Sequence, residues 1–600
     1  MRMKLSDYVV DFLVRNGIRH AFIVSGGASI HLLHSLHNNP GIEYICPHHE
    51  QAGAMAAEAY SRVGGGIGCA IATSGPGATN MITGIAGAWF DSVPALYITG
   101  QVTTFRMKGE SAVRQFGFQE TEILPMVKPI TKYCVQLLDA LDIRKELEKA
   151  LYMAKSGRQG PVLIDIPDDL QRTMIETADL AGFVPDAAEK KSAPAIDPDD
   201  IAQVLAMMQS AKRPVLIFGW GVRLAGASEI ARDLAERTGI PVLTSWAARD
   251  ILPAGNAGFV GTFGTHGTRA GNFAVQNADL VIAIGARLST RETGSPLSSW
   301  ARGAETVIVD LDAAELGKFE QFGKTLDLAI EADAGDFIRA LQSRANELAL
   351  PDIAAWKARI AGWQKTYPVC TDAARADARI DPYALMQRLS AAAPEGMHIF
   401  SDTGCAVAWL MQGFDVKPGQ RLYHDFNNTA MGWALPAAMA GSLALGRAPV
   451  LCVVGDGSLM MNLQELATIA YLKLPVRIVL LNNRGYAMVR QTEGQWLGGV
   501  NAGTSAETGL GFPDFAALAR SCGIETFSLK ASADTGGILK AAFAHDGPVF
   551  IDVEIGEHHG VYPQSKFGYP IEDSEPLLPR EEFLASMIVA PMPKSLEPID

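Results

Sequence analysis

The sequence predicts an α/β protein made of three doubly wound, parallel-sheet domains. Continuously apolar runs rich in Val, Ile and Leu recur along the 600 residues. Runs without polar alternation suit strands buried on both faces. Ala-rich stretches of helical period separate these runs, and strand–helix alternation builds parallel sheets. Two polar breaks, residues 187–200 ("AAEKKSAPAIDPDD") and about 350–381, cut the chain into units of ordinary domain size. The expected domains are 1–180, 190–350 and 381–557, with 351–380 a linker and 558–600 a C-terminal tail packing near the site of chemistry.

The N-terminal "MRMKLSDYVVDFLVRNG" keeps charges within its apolar period and reads as an amphipathic helix, not a signal peptide. "GCAIATS", "PALYITG" and "GPVLIDIP" are strands of the first unit. "RPVLIFGWG" and "ADLVIAIGAR" belong to the second, and "APVLCVVGDG", "PVRIVLLNN" and "GPVFIDVEIG" to the third. The closing signals "GPVLIDIPDD" (160–169) and "GPVFIDVEIG" (547–556) echo each other. Either an internal duplication or two similar strands would explain the echo.

A composition of 48% hydrophobic and 19% charged residues excludes a disordered chain. A net charge of −14 with no basic stripe argues against nucleic acid. The seven cysteines are scattered, with no CxxC pair. That pattern argues against a disulfide framework or structural zinc, and for a reducing, cytoplasmic setting. No apolar run reaches membrane-spanning length.

The residues that carry chemistry stand where strands end, because parallel sheets bind ligands beyond the carboxyl ends of their strands. In "VVGDGSLMMNLQELATIAYLKLPVRIVLLNNRG" (453–485), one apolar run ends in Asp456 and the next in Asn482 and Asn483. One helix and one strand fit the interval and return the chain to the same sheet edge. An anionic oxygen and a neutral amide oxygen suit Mg²⁺, which completes its shell with phosphate and water. Gly455 and Gly457 permit a tight turn with free N–H groups. The plainer reading is a strand-to-helix turn with Asp456 as N-cap.

"GDGSLMMN…LLNN" resembles the diphosphate–metal signature of thiamine-diphosphate enzymes. The resemblance implies thiamine diphosphate and Mg²⁺, with the Asp456 and Asn483 side chains and the Gly485 carbonyl on the metal. It also places Thr403, Gly404 and Ser458 at the cofactor. "HHEQAGAMAAEAYSR" and "IATSGPGATNMITGIAGAWFDSVPALYITGQ" (71–101) resemble the pyrimidine-side motifs of the same family. Glu50 falls on the glutamate that shares a proton with N1′, which lets the 4′-amino group deprotonate the thiazolium C2. A buried carboxyl with a raised pKa could do this. Read without the resemblance, Glu50 is an acid in a first helical turn. Ser74 and Gly75 would form a rigid turn near the ring. In "NNTAMGWALPAAMAGSLALG", Met431 would wedge the cofactor into a V and the Thr429 carbonyl would accept from the 4′-amino group. Ordinary core packing is the alternative for Met431.

Over residues 3–556 the chain resembles acetohydroxyacid (acetolactate) synthase catalytic subunits. The middle unit resembles their FAD-binding segments, with Gly219, Gly221, Thr265, His266, Gly267, Arg287 and Arg291 on the pattern. Glycines would allow close approach to the pyrophosphate and arginines would pair with it. No GxGxxG is present, and an empty domain is the alternative. The resemblance implies decarboxylation of pyruvate and carboligation of the two-carbon unit to a second carbonyl, a ketone or aldehyde acceptor. Gln119 would lie near the reacting carbon, Gly26 on a loop facing it, and Met488 in an apolar pocket. It also implies a homodimer or homotetramer in which each site uses two chains.

Three departures keep other acceptors open. Thr492 stands where the synthases have a large aromatic. The loop "TTFRMKGESAVRQFGFQE" is longer than usual. The tail "VYPQSKFGYPIEDSEPLLPREEFLASMIVAPMPKSLEP" is unlike theirs and should pack over something. Acetyl transfer to a larger or nucleotide-sugar ketone, and C–C hydrolysis of a cyclic diketone, are the alternatives. A non-catalytic binding protein is the rival class, and intact Glu50, Asp456 and Asn483 argue against it.

Overall fold

Strands buried on both faces organise the computed structural model, which describes residues 1–186, 194–344 and 351–598. The first sheet holds β1 (His20–Ile23), β2 (Glu43–Ile45), β3 (Gly68–Ala72), β4 (Ala95–Gln101), β5 (Tyr133–Gln136) and β6 (Val162–Pro167). All its pairings are parallel, in the order β2-β1-β3-β4-β6-β5. The second sheet holds β7 (Pro214–Phe218), β8 (Val242–Thr244), β9 (Phe259–Thr262), β10 (Leu280–Ile284), β11 (Glu305–Asp310) and β12 (Leu328–Glu331), in the order β9-β8-β7-β10-β11-β12. The third holds β13 (His398–Ser401), β14 (Arg421–Tyr423), β15 (Val450–Gly455), β16 (Val476–Asn482), β17 (Glu525–Leu529) and β18 (Val549–Glu554), in the order β14-β13-β15-β16-β18-β17. The first and third orders are the same permutation. The echoing strands, β6 and β18, hold the same place in each, which favours duplication over coincidence.

Each sheet has a switch point where its first and later strands wind in opposite directions, and a crevice opens at the carboxyl ends there. In the first sheet it lies between β1 and β3, in the second between β7 and β10, and in the third between β13 and β15. The residues singled out in the sequence cluster at these three places.

Small residues bring the first and third units together. Helix α1 (Glu50–Val63) buries Ala52, Ala54, Ala56, Ala57 and Ala59. It packs on α4 (Ala434–Ala444), which buries Ala434, Ala437, Ala438 and Ala440. A Cβ on Gly84 of α2 (Ile82–Phe90) would lie 2.6 Å from the Ala54 Cβ. One apolar cluster therefore runs from Phe22 and Ala54 through Trp433 and Ala437 to Phe550.

One expectation changes. Residues 351–380, expected as a linker, include a helix, Ala354–Thr366, whose Trp356, Ile360 and Trp363 are buried in the core of the second sheet. The charged helical stretch expected here is present, but the apolar spacing of Trp356, Ile360 and Trp363 packs it into a domain and does not leave it as a linker. The expected breaks at 187–200 and about 350 lie in part outside the described residues. The tail does pack, and on the second unit. Helix α3 (Arg269–Asn277) donates from Arg269 to the Ser574 and Pro576 carbonyls and from Asn272 to the Ile571 carbonyl. Gln276 bonds Glu572, and Ile571 and Phe583 enter the core.

Candidate active site

At the third sheet's crevice a cavity of about 310 Å³ is lined by Thr403, Gly404, Thr429, Met431, Gly455, Asp456, Gly457, Ser458, Asn483, Gly485 and Met488. These are all the residues that the sequence assigned to the C-terminal part of the site. Asp456 opens α5 (Asp456–Asn462), with Gly455 and not Asp456 as the N-cap. Its carboxylate accepts from the N–H of Gly457 at 2.6 Å, Asn483 at 3.1 Å and Gly485 at 3.2 Å. Burial pushes the Asp456 carboxyl up to about 6 against the pull of these donors. The Asn483 Oδ1 is buried without a hydrogen-bond partner. An orphaned amide oxygen beside a carboxylate is costly unless something accepts its lone pairs, and a hard cation does so. Among the described residues no group of three or more His, Cys, Asp or Glu side chains could hold a metal. Mg²⁺ fits here because two side chains and a backbone carbonyl suffice when phosphate and water complete its shell.

The glycines have packing reasons. A Cβ on Gly457 would lie 2.1 Å from the Tyr486 ring, and one on Gly485 would lie 2.3 Å from the Thr504 carbonyl. Gly404 has φ +77°. Asp402 was missed in the sequence, although "IFSDTG" ends a strand in an acid as "VVGDG" does. Its buried carboxylate holds the N–H of Thr403 at 2.9 Å, Gly432 at 3.0 Å and Ala434 at 2.8 Å, which brackets Met431. Tyr486, Trp409 and Val489 also line the cavity.

α6 (Ala487–Trp496) carries Met488, and the tail grips it. Gln491 exchanges two hydrogen bonds with the Val561 backbone, Gln495 donates to Glu575 at 2.6 Å, and Trp496 lies 4.8 Å from Phe567. Thr492 turns its hydroxyl back to the Met488 carbonyl at 3.0 Å and does not line the cavity.

The N-terminal candidates gather at the first sheet's crevice. Glu50 is the first residue of α1, capped by His49, and accepts from the Asn80 amide at 2.9 Å. In the single chain it is half-buried, not buried as expected. Its Oε1 lies 3.3 Å from where a Gly77 Cβ would be. A Cβ on Gly26 would lie 2.4 Å from the Thr73 Cβ, so that loop passes tightly over the end of β3. Ser74 is buried, and Gly75 (φ +66°) sits against Gln119, which itself has φ +63°. The long loop before Gln119 is clasped by Glu120, whose carboxylate accepts from the N–H of Lys108, Phe116 and Gly117. None of these N-terminal residues lines the 310 Å³ cavity of the same chain.

Along the second sheet's crevice run three adjoining cavities of about 70, 150 and 730 Å³, all touching Arg287. His266 and Arg291 line the smallest, and Gly221 lines the 150 Å³ one. Gly219, Thr265 and Gly267 line none of the three. Cβ atoms on Gly219 and Gly221 would lie 2.2 Å and 2.7 Å from the Gly285 backbone. Tight backbone packing therefore explains both glycines, where approach to a pyrophosphate was expected. Thr265 holds its loop through its N–H to the Arg291 carbonyl at 2.7 Å. Arg291 stacks 3.4 Å over Trp246, and burial pushes its guanidinium down to about 10. Burial and the Arg291 charge push His266 down to about 3 against the pull of the neighbouring Gln564 amide, and both ring nitrogens are buried. Arg158, also missed in the sequence, lines the two larger cavities and pairs with Asp312 at 2.8 Å. A dinucleotide with an anionic linker would suit a switch-point groove holding Arg158, Arg287 and Arg291.

The chain matches the thiamine pyrophosphate enzyme N-terminal TPP binding domain over residues 3–126, the central domain over 201–341 and the C-terminal TPP binding domain over 402–553. It is 33% identical to the acetolactate synthase large subunit of Pyropia yezoensis, over 92% of this chain and 92% of that one. It is 35% identical to the acetolactate synthase large subunit of Parasynechococcus marenigrum (strain WH8102), over 92% and 88%. It is 34% identical to the acetolactate synthase isozyme 1 large subunit of Escherichia coli (strain K12), over 93% and 95%.

Proposed function

The chain belongs to the thiamine pyrophosphate enzyme family, among the acetolactate synthase-like enzymes, and from that premise we propose that it decarboxylates pyruvate and joins the two-carbon unit to a second 2-ketoacid. When bound, thiamine diphosphate supplies the electron sink that lets carbon dioxide leave and carries the two-carbon unit to its acceptor. Asp456, Asn483 and the Gly485 carbonyl would hold Mg²⁺, and the first-turn N–H groups of α5 would face the diphosphate. The Thr429 carbonyl would accept from the 4′-amino group, with Met431 fixing the angle between the rings. Glu50 would hold a proton at N1′. Gln119 and the Gly26 loop would face the substrate carbonyl, and Met488 would exclude water from it.

The observation that carries this reading is the orphaned Asn483 oxygen beside the Asp456 carboxylate, in a cavity walled by all eleven residues that the sequence assigned to the C-terminal part of the site. Because Glu50 does not reach that cavity within one chain, we place each complete site between two chains, in a homodimer or a dimer of dimers. FAD is the ligand proposed for the second crevice, supported by its three arginines. A reducing, cytoplasmic setting is proposed on the seven unpaired cysteines. Among the described residues no helix is long and apolar enough to cross a membrane.

Acetyl transfer to a larger ketone and hydrolysis of a cyclic diketone are not favoured by the relatives. The purified protein, supplied with pyruvate, thiamine diphosphate and Mg²⁺, should release carbon dioxide and accumulate 2-acetolactate, read by mass spectrometry. Carbon dioxide with acetaldehyde alone would refute carboligation. Product formed only when a bulky ketone is added would restore the alternative acceptor.

A further inference from the structure

The second and third crevices share a wall. Phe426 and Asn427 line the 70 Å³ cavity beside Arg291, and Asn427 also lines the 150 Å³ cavity. Two and four residues further on, Thr429 and Met431 line the 310 Å³ cavity. The loop between is held from both ends. Thr429 (φ +51°) donates its N–H to the Asp425 carbonyl at 2.9 Å, and Ala430 donates to the Asp425 carboxylate at 3.0 Å. The Asp91 carboxylate, reaching over from the first unit, accepts from the N–H of Phe426 at 2.8 Å and of Asn427 at 3.1 Å. Asp91 is itself ion-paired to the fully buried Arg62. Asn427 closes the chain of contacts: its amide nitrogen donates to Asp91 at 2.5 Å, and its amide oxygen accepts from Arg287 at 2.8 Å.

Arg287 divides its charge between Asn427 and Glu315, at 3.3 Å, and is the residue common to all three cavities of the second crevice. An anion that engages Arg287 must change how the guanidinium is shared, and Asn427 is the neighbour through which the change reaches the loop. Short, hydrogen-bonded backbone between two sites gives a contiguous path for coupling.

We propose that Asn427 is a positioning residue that couples the two crevices: an anionic dinucleotide held at Arg287 fixes the 425–431 loop and so tightens thiamine diphosphate in the neighbouring cavity. This rests on the flavin reading of the second crevice and adds to it a purpose that requires no redox step.

The test is calorimetric titration of the full chain, stripped of cofactors, with thiamine diphosphate at saturating Mg²⁺, with and without FAD. FAD should lower the apparent Kd by roughly fivefold or more, and thiamine diphosphate should tighten FAD by the same factor, since linkage is reciprocal. In Asn427→Ala the ratio should fall to about one, whatever the absolute affinities. Asn427→Asp, which sets a charge against Asp91, should lose the coupling as well. Asn427 is exposed, so both variants should fold, and thermal melts check this. FAD that binds wild type without altering the thiamine diphosphate titration overturns the coupling alone. A ratio preserved in both variants overturns Asn427 as its carrier. FAD that does not bind at all overturns the flavin reading and the coupling with it.

Discussion

At the scale of single residues, two carboxylates on one chain serve different ends, and their surroundings decide which. Glu50 is half-buried and has one side-chain partner, Asn80. Glutamine keeps its shape and can still accept from Asn80, so Glu50→Gln should leave the melting temperature nearly unchanged. It should lower the rate of pyruvate consumption by roughly 10²- to 10⁴-fold, the span of general acid–base contributions. A variant of undiminished rate would remove Glu50 from the chemistry. Asp165 is fully buried in the first sheet, accepting from Thr99 at 2.6 Å, Gln136 at 2.7 Å and Gln101 at 3.2 Å. Burial nonetheless pushes it up to about 6 from its ordinary 3.8. A carboxyl raised on folding holds its proton more tightly in the native state, so stability falls as pH rises from about 4 to about 6. At ~1.4 kcal/mol per pH unit the loss reaches about 3 kcal/mol. Asp165→Asn should therefore gain on wild type by up to that amount between about pH 4 and pH 7, in urea unfolding curves at each pH. A constant difference would mean that Asp165 does not titrate there.

At the scale of elements, strand ends were the legible part. Gly-Asp-Gly closes β15 and Asn-Asn closes β16, and each run is apolar enough to read as a buried strand without a structure. Residues just past the carboxyl ends of parallel strands border the crevice where the sheet has a switch point, and this is the signal that let the sequence single out Asp456 and Asn483. Asp402 carried the same signal and went unread for want of a second motif. Arg158 and Asn427 had no local signal, because each meets its partners across domains: Arg158 reaches Asp312, and Asn427 reaches Asp91 and Arg287. The second-crevice glycines were legible as glycines but not in purpose, since the Gly285 backbone that crowds them lies more than sixty residues away. The tail's composition said that it packs, not where. Its Phe583 is fully buried in the core of the second sheet, in contact with the ring of Phe273. Phe583→Ala should cost about 3–5 kcal/mol of stability. Because the tail also holds α6 through Gln491, Gln495 and Trp496, the variant should weaken pyruvate binding before the protein unfolds, seen as a raised KM at temperatures well below the melt. An unchanged melt would show that the tail is only laid on the surface.

At the scale of the whole molecule, the separation of Glu50 from the 310 Å³ cavity is the fact with the largest consequence. The first and third units of one chain share a core through α1 and α4, so Glu50 cannot swing across without breaking that packing. On the proposed reading, the crevice of the first sheet faces a cavity on a second copy. A closed twofold pair meets this need twice over, giving two sites, each with Glu50 from one chain and Asp456 from the other. Mixing two inactive variants tests the arrangement. Glu50→Gln homodimers have no proton donor at either site, and Asp456→Ala homodimers have no metal carboxylate at either. In a mixed dimer one site carries both lesions and the other carries neither. Random assortment makes about half of the dimers mixed, each with one sound site of two, so co-expression should restore roughly a quarter of wild-type activity. Each variant purified alone, and the two combined without subunit exchange, should stay inactive. If co-expression restores nothing while mixed dimers are demonstrably present, Glu50 and Asp456 serve the same chain, and the cavity must be reached by a rearrangement of α1 against α4.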